Sequence, residues 1–271
     1  MNKGYLMENP EEAVRLEVKT DPEAVRSQAL WCGLRPGMRV LDAGCGPGLV
    51  TSILNEMIQP GGEIIGIDYS EERIRHARKR HAKDGGIDFE LRDLTRPIDD
   101  LGRFDLIWVR FFLEYFRKES PKIVKNLTAC LKPEGRLCLL DLDLNCLNHY
   151  ELPPLMEGIL PGLMAKLERE FNFDPYAGRK LYSYLYDLNY RNIRMDVRAH
   201  HLFYGDISDA DVFNWLKKVE VASLKAEEIF AEYPGGRDSF FEDFKEFFHD
   251  PRRFTYTPLI ICTGSRPVSS F

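Results

Sequence analysis

The sequence predicts an α/β fold, in which a doubly wound, mostly parallel sheet of seven strands carries helical insertions. Between residues 38 and 142, short and almost continuously apolar segments alternate with segments of helical periodicity. This alternation is typical of βαβ units whose parallel sheet is covered on both faces. The chain has 271 residues, 44% of them hydrophobic, and is long enough to fold as one large domain of this kind.

The most informative local pattern lies at residues 40–50, which read Val-Leu-Asp-Ala-Gly-Cys-Gly-Pro-Gly-Leu-Val. An apolar run followed by an acid and then by glycines at alternate positions predicts a buried strand that turns sharply into a helix. Glycine is needed at such a turn because a Cβ atom blocks either the tight backbone or the approach of a ligand. The stretch therefore predicts a cofactor loop.

The other elements of the first half follow in chain order. A helix is predicted over residues 10–33, with Pro10 near its start and Gly33 just after its end. Five strands are predicted over 39–42, 63–68, 87–91, 104–109 and 136–142. Between them lie a helix over 49–57, a helix capped by Ser70 and a helix that opens at Ser120-Pro121.

The alternation stops after residue 142. We predict one or two helices over 152–171, a helix over 178–188, a strand over 193–200, one long helix over 208–232, a helix over 239–248 and a closing strand over 254–263. The whole chain, 1–271, is predicted to be a single domain. Its parts are an N-terminal helical cap (1–33), a cofactor-binding core (34–150) and two helical insertions on the substrate side (151–190 and 205–250).

Composition narrows the possible functions. The net charge of −6 and the pI of about 5.6 argue against a broad nucleic-acid surface, which needs clustered Lys and Arg. The six cysteines form no Cys-x-x-Cys pair, which favours a reduced chain over a disulfide framework or a zinc site. We predict no metal, because the adjacent His200 and His201 should face opposite sides of a strand. The sequence shows no apolar leader and no membrane-spanning run, so a cytoplasmic location is expected.

Candidate site residues follow the predicted strands, because open α/β sheets bind ligands beyond the carboxyl ends of their strands. They are Asp42, Gly44, Cys45, Gly46 and Gly48 after the first strand, Asp68 and Tyr69 after the second, Asp93 and Leu94 after the third, and Arg110 after the fourth. The carboxylate of Asp42 repels phosphate and favours a ligand with positive charge. The carboxylate of Asp68, about 20 residues beyond the glycines, can accept hydrogen bonds from both hydroxyls of a ribose.

These segments resemble the motifs of class I S-adenosylmethionine-dependent methyltransferases. Residues 40–50 are similar to the first motif of that family and 64–70 to the second, while 93–94, 104–116 and 131–141 are similar to later ones. The resemblance covers about residues 35–142. It extends more loosely through 174–181, where the chain resembles bacterial small-molecule members of the UbiE-like type. The resemblance implies a Rossmann-like methyltransferase fold, S-adenosyl-L-methionine as cofactor and a small-molecule acceptor.

The resemblance also implies roles for the candidate residues. The glycines would let the backbone lie against the methionine and ribose parts of the cofactor, and Asp42 would favour its ammonium and sulfonium side. Asp68 would hold the ribose diol, Tyr69 would pack against the adenine and Asp93 would bond its exocyclic amine. Cys45, Leu94 and Arg110 are predicted to be cofactor-binding as well.

Methyl transfer from a sulfonium is a direct displacement, so alignment and exclusion of water are the main contributions expected of the protein. A side-chain base is needed only if the acceptor must lose a proton. The candidates at the strand ends are Glu114, His149 and Tyr150. Aromatic residues after the fourth strand could line a pocket for a small, partly apolar acceptor or belong to the core; they are Phe111, Phe112, Tyr115 and Phe116.

Two alternative functions share part of this pattern. An NAD-dependent oxidoreductase has the fingerprint Gly-x-Gly-x-x-Gly, whereas here the third glycine, Gly48, comes one residue early, and Asp42 would sit badly beside a pyrophosphate. A protein of the same fold could instead bind S-adenosylmethionine with other chemistry or no turnover. The sequence does not specify the oligomeric state.

Overall fold

The computed structural model describes residues 16–17, 20–82 and 86–267, and a mixed sheet organises them. Its strands are β1 (Arg39–Ala43), β2 (Glu63–Asp68), β3 (Ile87–Leu91), β4 (Phe104–Arg110), β5 (Leu131–Leu142), β6 (His149–Tyr150), β7 (Arg191–Phe203) and β8 (Phe254–Ser265). The helices are α1 (Pro22–Cys32), α2 (Leu49–Ile58), α3 (Glu71–His81), α4 (Ser120–Ala129), α5 (Pro154–Phe171), α6 (Leu181–Asp187), α7 (Asp209–Leu224) and α8 (Gly236–His249).

The strand order is β3-β2-β1-β4-β5-β8, with β6 and β7 both paired to β8. Strands β1 to β5 run parallel, and β8 returns antiparallel to β5 and β7. The predicted doubly wound, mostly parallel sheet is therefore confirmed. The described part of the chain has eight strands, one more than the seven predicted. The additional strand is β6, whose two residues are too few to show a periodicity in the sequence.

The two faces of the sheet bury two separate cores, because successive side chains of a strand point to opposite faces. On β4, Leu106 and Trp108 pack with α1, α2 and α3, while Ile107 and Val109 pack with α4 and α6. All four of these side chains are at most 1% exposed. Helices thus cover both faces of the central strands, and the cofactor loop lies at the carboxyl ends of those strands.

Most predicted boundaries in the first half agree with the structure to within one residue. Strands β2 and β3 match the prediction at both ends, and Ser70 caps α3 by accepting a hydrogen bond from the backbone N–H of Arg73. Helix α1 begins at Pro22, where Asp21 is the N-cap, and Gly33 ends it with φ +93°. Thr20 and Asp21 are not helical, so the prediction of one continuous helix over 10–33 is wrong. Its first part falls largely outside the described residues.

Helices α5, α7 and α8 form a third hydrophobic core beside the sheet, built around Met156, Trp215 and Phe244. The segment 152–171 is one helix, even though Pro161 lies inside it. The prediction of one helix over 208–232 is wrong, because α7 ends at Leu224 and a short 3-10 turn follows at Glu227–Phe230. Ala226 leaves helical geometry with φ −137°, and this break brings Phe230 into the third core at 1% exposure.

The segment 151–190 divides between two environments, since α5 joins the third core while α6 packs on the sheet through Leu181 and Leu185. Within the described residues, no helix is both long and apolar enough to cross a membrane.

Candidate active site

A cleft of about 750 Å³, part of it open solvent, lies at the carboxyl ends of β1, β2 and β4. Six of the predicted cofactor-binding residues line it, namely Gly44, Cys45, Gly46, Asp68, Tyr69 and Arg110. Leu16 and Thr20, which precede α1, line it as well. The sheet topology thus brings together residues from three separate strand ends, as the sequence predicts.

The three glycines of the loop have different structural roles. A Cβ on Gly44 would lie 2.4 Å from the ring of Phe112, and a Cβ on Gly48 would lie 2.9 Å from Ala77 Cβ and from the ring of Phe89. Gly48 therefore permits close packing of α2 against α3 and β3, and it does not line the cleft. Among the described residues, the only heavy atom within 4 Å of such a Cβ at Gly46 is Leu16 Cδ1 at 3.7 Å, so the Gly46 backbone faces the cleft.

Asp68 accepts hydrogen bonds at both of its carboxylate oxygens. Its Oδ2 accepts a hydrogen bond from the Gly46 N–H at 3.0 Å, and its Oδ1 accepts one from the Ser70 N–H at 2.9 Å. The carboxylate is 6% exposed and ties the glycine loop to the end of β2. Oδ2 keeps room for a further donor, because a carboxylate oxygen has two lone pairs.

Arg73 also lines the cleft, although it is not among the predicted site residues. Its guanidinium donates from Nε and Nη2 to Asp68 Oδ1 at 3.2 Å each, lies 5.5 Å from the centre of the Tyr69 ring and is 5% exposed. A signal was available, since a cation in the first turn of a helix opposes the helix dipole and needs a nearby acid. Arg73 thus already occupies one of the oxygens predicted to hold a ribose.

Asp42 lies beneath the loop, away from the cleft wall. It is 3% exposed, and its Oδ2 accepts a hydrogen bond from the Thr51 hydroxyl at 2.6 Å. Burial raises the pKa of Asp42 to about 7, against the lowering effects of Thr51 and of the nearby Arg110. Burial likewise lowers the pKa of Arg110 to about 10, so the guanidinium stays charged at neutral pH.

The raised pKa of Asp42 predicts an unusual pH dependence of stability. Between about pH 4 and 7 the folded protein holds a proton that the unfolded chain has released, so the free energy of unfolding falls as the pH rises. A shift of about three units corresponds to about 4 kcal/mol. Asp42→Asn, which keeps an acceptor for Thr51, should flatten this dependence. Urea unfolding of both proteins at pH 5 and pH 8 measures it, and parallel losses in the two proteins would contradict the assignment.

Asp93 and Leu94 do not line the cleft. The Asp93 carboxylate is exposed and accepts hydrogen bonds from the backbone N–H and the hydroxyl of Thr95 at 2.9 and 2.7 Å. The Leu94 side chain is 3% exposed and belongs to the core beneath α4. Their contact with an adenine stays a prediction.

None of the three candidate bases lines the cleft. Glu114 is 2% exposed and accepts a hydrogen bond from Asn145 Nδ2 at 2.8 Å, and burial beside Glu114 raises the pKa of Asp141 well above its usual range. His149 packs among the aromatic rings of the third core, where burial lowers its pKa to about 4. Tyr150 is 63% exposed on β6.

An aromatic wall closes one side of the cleft, formed by Phe111, Phe112, Tyr115 and Phe116. The rings of Phe112 and Phe116 stack with their centres 4.6 Å apart. Phe111 has φ +54°, a left-handed conformation that is rare for a bulky residue and that clusters at functional sites. The wall gives the cleft an apolar surface next to the charge of Arg110.

A second cavity, of about 780 Å³ including open solvent, lies on the other side of Arg110. Both His200 and His201 line it, with ring centres 4.2 Å apart. The prediction that these side chains face opposite sides of a strand is wrong. The β7–β8 register shifts between Ala199 and His201, and such a bulge breaks the alternation of side chains. Among the described residues, no group of three or more His, Cys, Asp or Glu side chains is placed to hold a metal ion.

Comparison with known proteins places this geometry in a family. A family model described as "Methyltransferase domain" matches residues 34–185, which is more than half of the chain. The chain is 30% identical over 134 residues to nocamycin O-methyltransferase of Saccharothrix syringae, covering 48% of each protein. It is 33% identical over 111 residues to a ubiquinone biosynthesis O-methyltransferase of Coxiella burnetii, covering 40% of this chain and 45% of that protein.

The aligned stretch spans from a third to about half of the length of the curated relatives. Among solved structures, the YcgJ protein of Bacillus subtilis superposes with a TM-score of 0.57 at 18% identity, covering 92% of this chain and 100% of that one. This likeness concerns the fold. The family match, which covers the cofactor loop and the parallel strands, shows that the chain belongs to the methyltransferase-domain family, the class I S-adenosylmethionine-dependent methyltransferases.

Proposed function

We propose that the protein transfers a methyl group from S-adenosylmethionine to a small-molecule acceptor by direct displacement. The observation that carries the proposal is the arrangement of Gly46 and Asp68. The backbone of Gly46 faces the cleft without a side chain, and its N–H is held by a carboxylate whose Oδ2 can accept one more hydrogen bond. The remaining acceptor position on Asp68 fits a nucleoside with a free ribose diol, the part of the cofactor that needs an acid at this position.

In this proposal each cleft residue has a binding role. Asp68 accepts a hydrogen bond from a ribose hydroxyl at Oδ2, and Tyr69, which is 41% exposed, offers its ring to the adenine. Arg110 provides a cation for the carboxylate of the methionine part. Above its pKa of about 7, Asp42 provides the opposite charge beneath the loop, where it favours the ammonium and sulfonium. Gly44 and Cys45 complete the backbone cradle, and Gly48 fixes it against α3. Asp93 and the backbone of Leu94, which lie outside the cleft wall, would contact an adenine that extends to the end of β3.

When bound, S-adenosylmethionine supplies a methyl group on a positively charged sulfur. The protein then has to align the acceptor with that methyl group and exclude water. The aromatic wall is suited to both tasks, because Phe112 contacts the glycine loop while Tyr115 and Phe116 line the same cleft. We therefore propose that this wall is where cofactor and acceptor meet.

We also propose that the N-terminal cap and the helical insertions form the substrate side of the domain. In support, Leu16 and Thr20 line the cofactor cleft, and α7 lines the second cavity next to it. The core over 34–150 would then bind the cofactor, and the segments outside it would select the acceptor.

Calorimetric titration tests the cofactor assignment. We expect S-adenosylmethionine and S-adenosylhomocysteine to bind and NAD to give no heat of binding. Tight binding of NAD alone would overturn the proposal. Incubation of the protein with methyl-labelled S-adenosylmethionine and a mixture of small hydroxylated and amine acceptors then tests transfer. Binding without a labelled product from any acceptor would favour a protein that holds the cofactor without turnover.

A further inference from the structure

The sheet has an open edge at β7, its outermost strand on the antiparallel side. Within the described part of the chain, β7 (Arg191–Phe203) pairs with β8 alone. An outermost strand presents backbone N–H and C=O groups along its free side, where another strand can pair with them. Natural sheets commonly keep such strands short, whereas β7 has 13 residues. The free side of β7 is therefore a candidate interaction surface.

One face of β7 exposes a row of apolar side chains beside this edge. Met195 and Val197 are 42% and 57% exposed, and Ala199 is exposed as well. Residues at alternate positions of a strand point to the same face. Ile193 continues the row and packs against the core beneath α4 and α6, so the row belongs to that face of the sheet. Exposed apolar side chains along an unpaired edge are typical of a site that another strand covers.

The opposite face of the same segment carries charges of alternating sign. Arg194 and Arg198 flank Asp196, whose Oδ2 accepts a hydrogen bond from Arg198 Nε at 2.8 Å. The two guanidinium groups also reach α1, where they donate to Trp31 O at 2.6 Å and to Ser27 Oγ at 2.9 Å. These contacts hold the charges in place beside the edge. Charges commonly protect an edge strand by repelling a second strand, so the sign of each opposite pair decides which strand can pair with β7.

The charge pattern of β7 is complementary to itself when the strand pairs antiparallel with an identical strand. Such a pair is built around a twofold axis, at which one residue lies opposite itself. With the axis at Val197, Asp196 of each copy lies opposite Arg198 of the other. An axis at Asp196 or at Arg198 puts like charges directly opposite each other, which is destabilising. An axis at Met195 also pairs unlike charges, but it extends the pairing to Asn192, whose φ of +52° departs from extended geometry.

We propose that the protein forms a symmetric dimer in which β7 pairs antiparallel with β7 of a second copy around Val197. The paired segment runs from Met195 to Ala199, which lies between the two register irregularities of β7 and is regular against β8. On the apolar face, Val197 lies opposite Val197 of the second copy, and Met195 lies opposite its Ala199. Pairing exchanges the hydrogen bond of the Val197 N–H to Asp196 Oδ1, at 2.9 Å in the single chain, for one to a backbone carbonyl. The carboxylate of Asp196 then faces Arg198 of the second copy.

Sedimentation equilibrium of the full chain tests whether the dimer exists. A strand pair of this length makes a small interface, so we expect a reversible dimer with a Kd of about 1–100 μM. Between about 1 μM and about 1 mM, the measured mass should rise from that of one chain, 31.4 kDa, to twice that value. A wild type that stays monomeric over this whole range refutes the proposal.

Two charge reversals test the position of the axis. Asp196→Arg and Arg198→Asp should each abolish the dimer, because each puts like charges opposite each other. An equimolar mixture of the two variants should form a mixed dimer, since every opposite pair again has unlike signs. With the axis at Met195, Arg198 would lie opposite Asn192, and Arg198→Asp would stay dimeric. Single variants that still self-associate, or a mixture that stays monomeric, contradict the proposed register.

Circular dichroism and the binding of S-adenosylhomocysteine show whether these variants are folded, because neither Asp196 nor Arg198 lines the cofactor cleft. Asp196→Lys and Arg198→Glu carry the same reversals if the first pair does not fold. Unchanged cofactor binding by monomeric variants also separates the dimer from the proposed methyl transfer, so that either can fail alone.

A cross-link locates the axis directly. Val197→Cys should give a disulfide-linked dimer under mild oxidation, because opposite residues of antiparallel strands have Cα atoms about 4.5–5.5 Å apart. Met195→Cys is the matched control, since it is exposed on the same face but lies roughly 14 Å from its own copy across the axis. The wild type controls for the native cysteines, of which Cys146 is partly exposed and the others are buried. Cross-linking of Met195→Cys as fast as that of Val197→Cys, or of neither variant, would rule out the proposed pairing.

Discussion

Asp68→Ala is expected to weaken the binding of S-adenosylmethionine by about 1–3 kcal/mol, or roughly 5- to 150-fold in Kd, because hydrogen bonds to the ribose are lost. The structure adds a second effect. The same substitution takes away the carboxylate that pairs with Arg73, whose side chain is 6% exposed. Breaking a buried ion pair from one side costs about 3 kcal/mol of folding stability. Calorimetry and urea unfolding on the same preparation measure both losses.

The double variant Asp68→Ala/Arg73→Met separates the two effects. Methionine fills a similar volume without a charge, so the free energy of unfolding should recover most of its loss. Cofactor affinity should stay low, because the ribose acceptor is still missing. If affinity recovers along with stability, Asp68 acts through the fold and has no place among the cofactor ligands.

Gly48→Ala and Gly46→Ala are expected to differ in their effects on folding stability and on cofactor affinity, although the two residues belong to the same loop. At Gly48, φ is +93° and a Cβ would lie 2.9 Å from Ala77 and Phe89. The left-handed strain and the overpacking together should lower the free energy of unfolding by about 2–4 kcal/mol. At Gly46 the new methyl group contacts Leu16 alone among the described residues, at 3.7 Å, so the cost to stability should be limited to the strain of about 1–2 kcal/mol.

For cofactor affinity, in contrast to stability, Gly46→Ala should show the larger loss. The methyl group of Gly46→Ala projects into the cleft and should raise the Kd for S-adenosylhomocysteine at least tenfold, whereas folded Gly48→Ala should bind within a few-fold of the wild type. Unfolding and calorimetric titration of the two variants give the comparison. Equal losses of affinity in both would contradict the division of roles within the loop.

The sheet could be predicted from the sequence because the signals for its strands and turns are local. Apolar strands such as Ile87–Leu91, the Ser70 cap and the alternate glycines each depend on a few neighbouring residues. Once the strands were placed, their order along the chain placed Asp68 and Arg110 at one edge, and the structure brings both to the same cleft.

Features that depend on distant residues could not be predicted in this way. The bulge at His200 exists because β7 pairs with β8, more than 50 residues further along the chain. The environment of Asp42 beneath the loop depends on Thr51 and Arg110. The break after Leu224 depends on the packing of Phe230 in the third core. The spacing of apolar residues shows which face of a segment is buried. It does not show which distant residues pack against that face.

The most direct test of the proposed site is a crystal structure of the protein with S-adenosylhomocysteine. The proposal predicts that the ribose hydroxyls lie within hydrogen-bond distance of Asp68, that the homocysteine part lies along Gly44 to Gly46, and that the sulfur faces the aromatic wall beside Arg110. A nucleoside bound with its ribose away from Asp68, or a ligand seated outside the cleft between β1, β2 and β4, would contradict it.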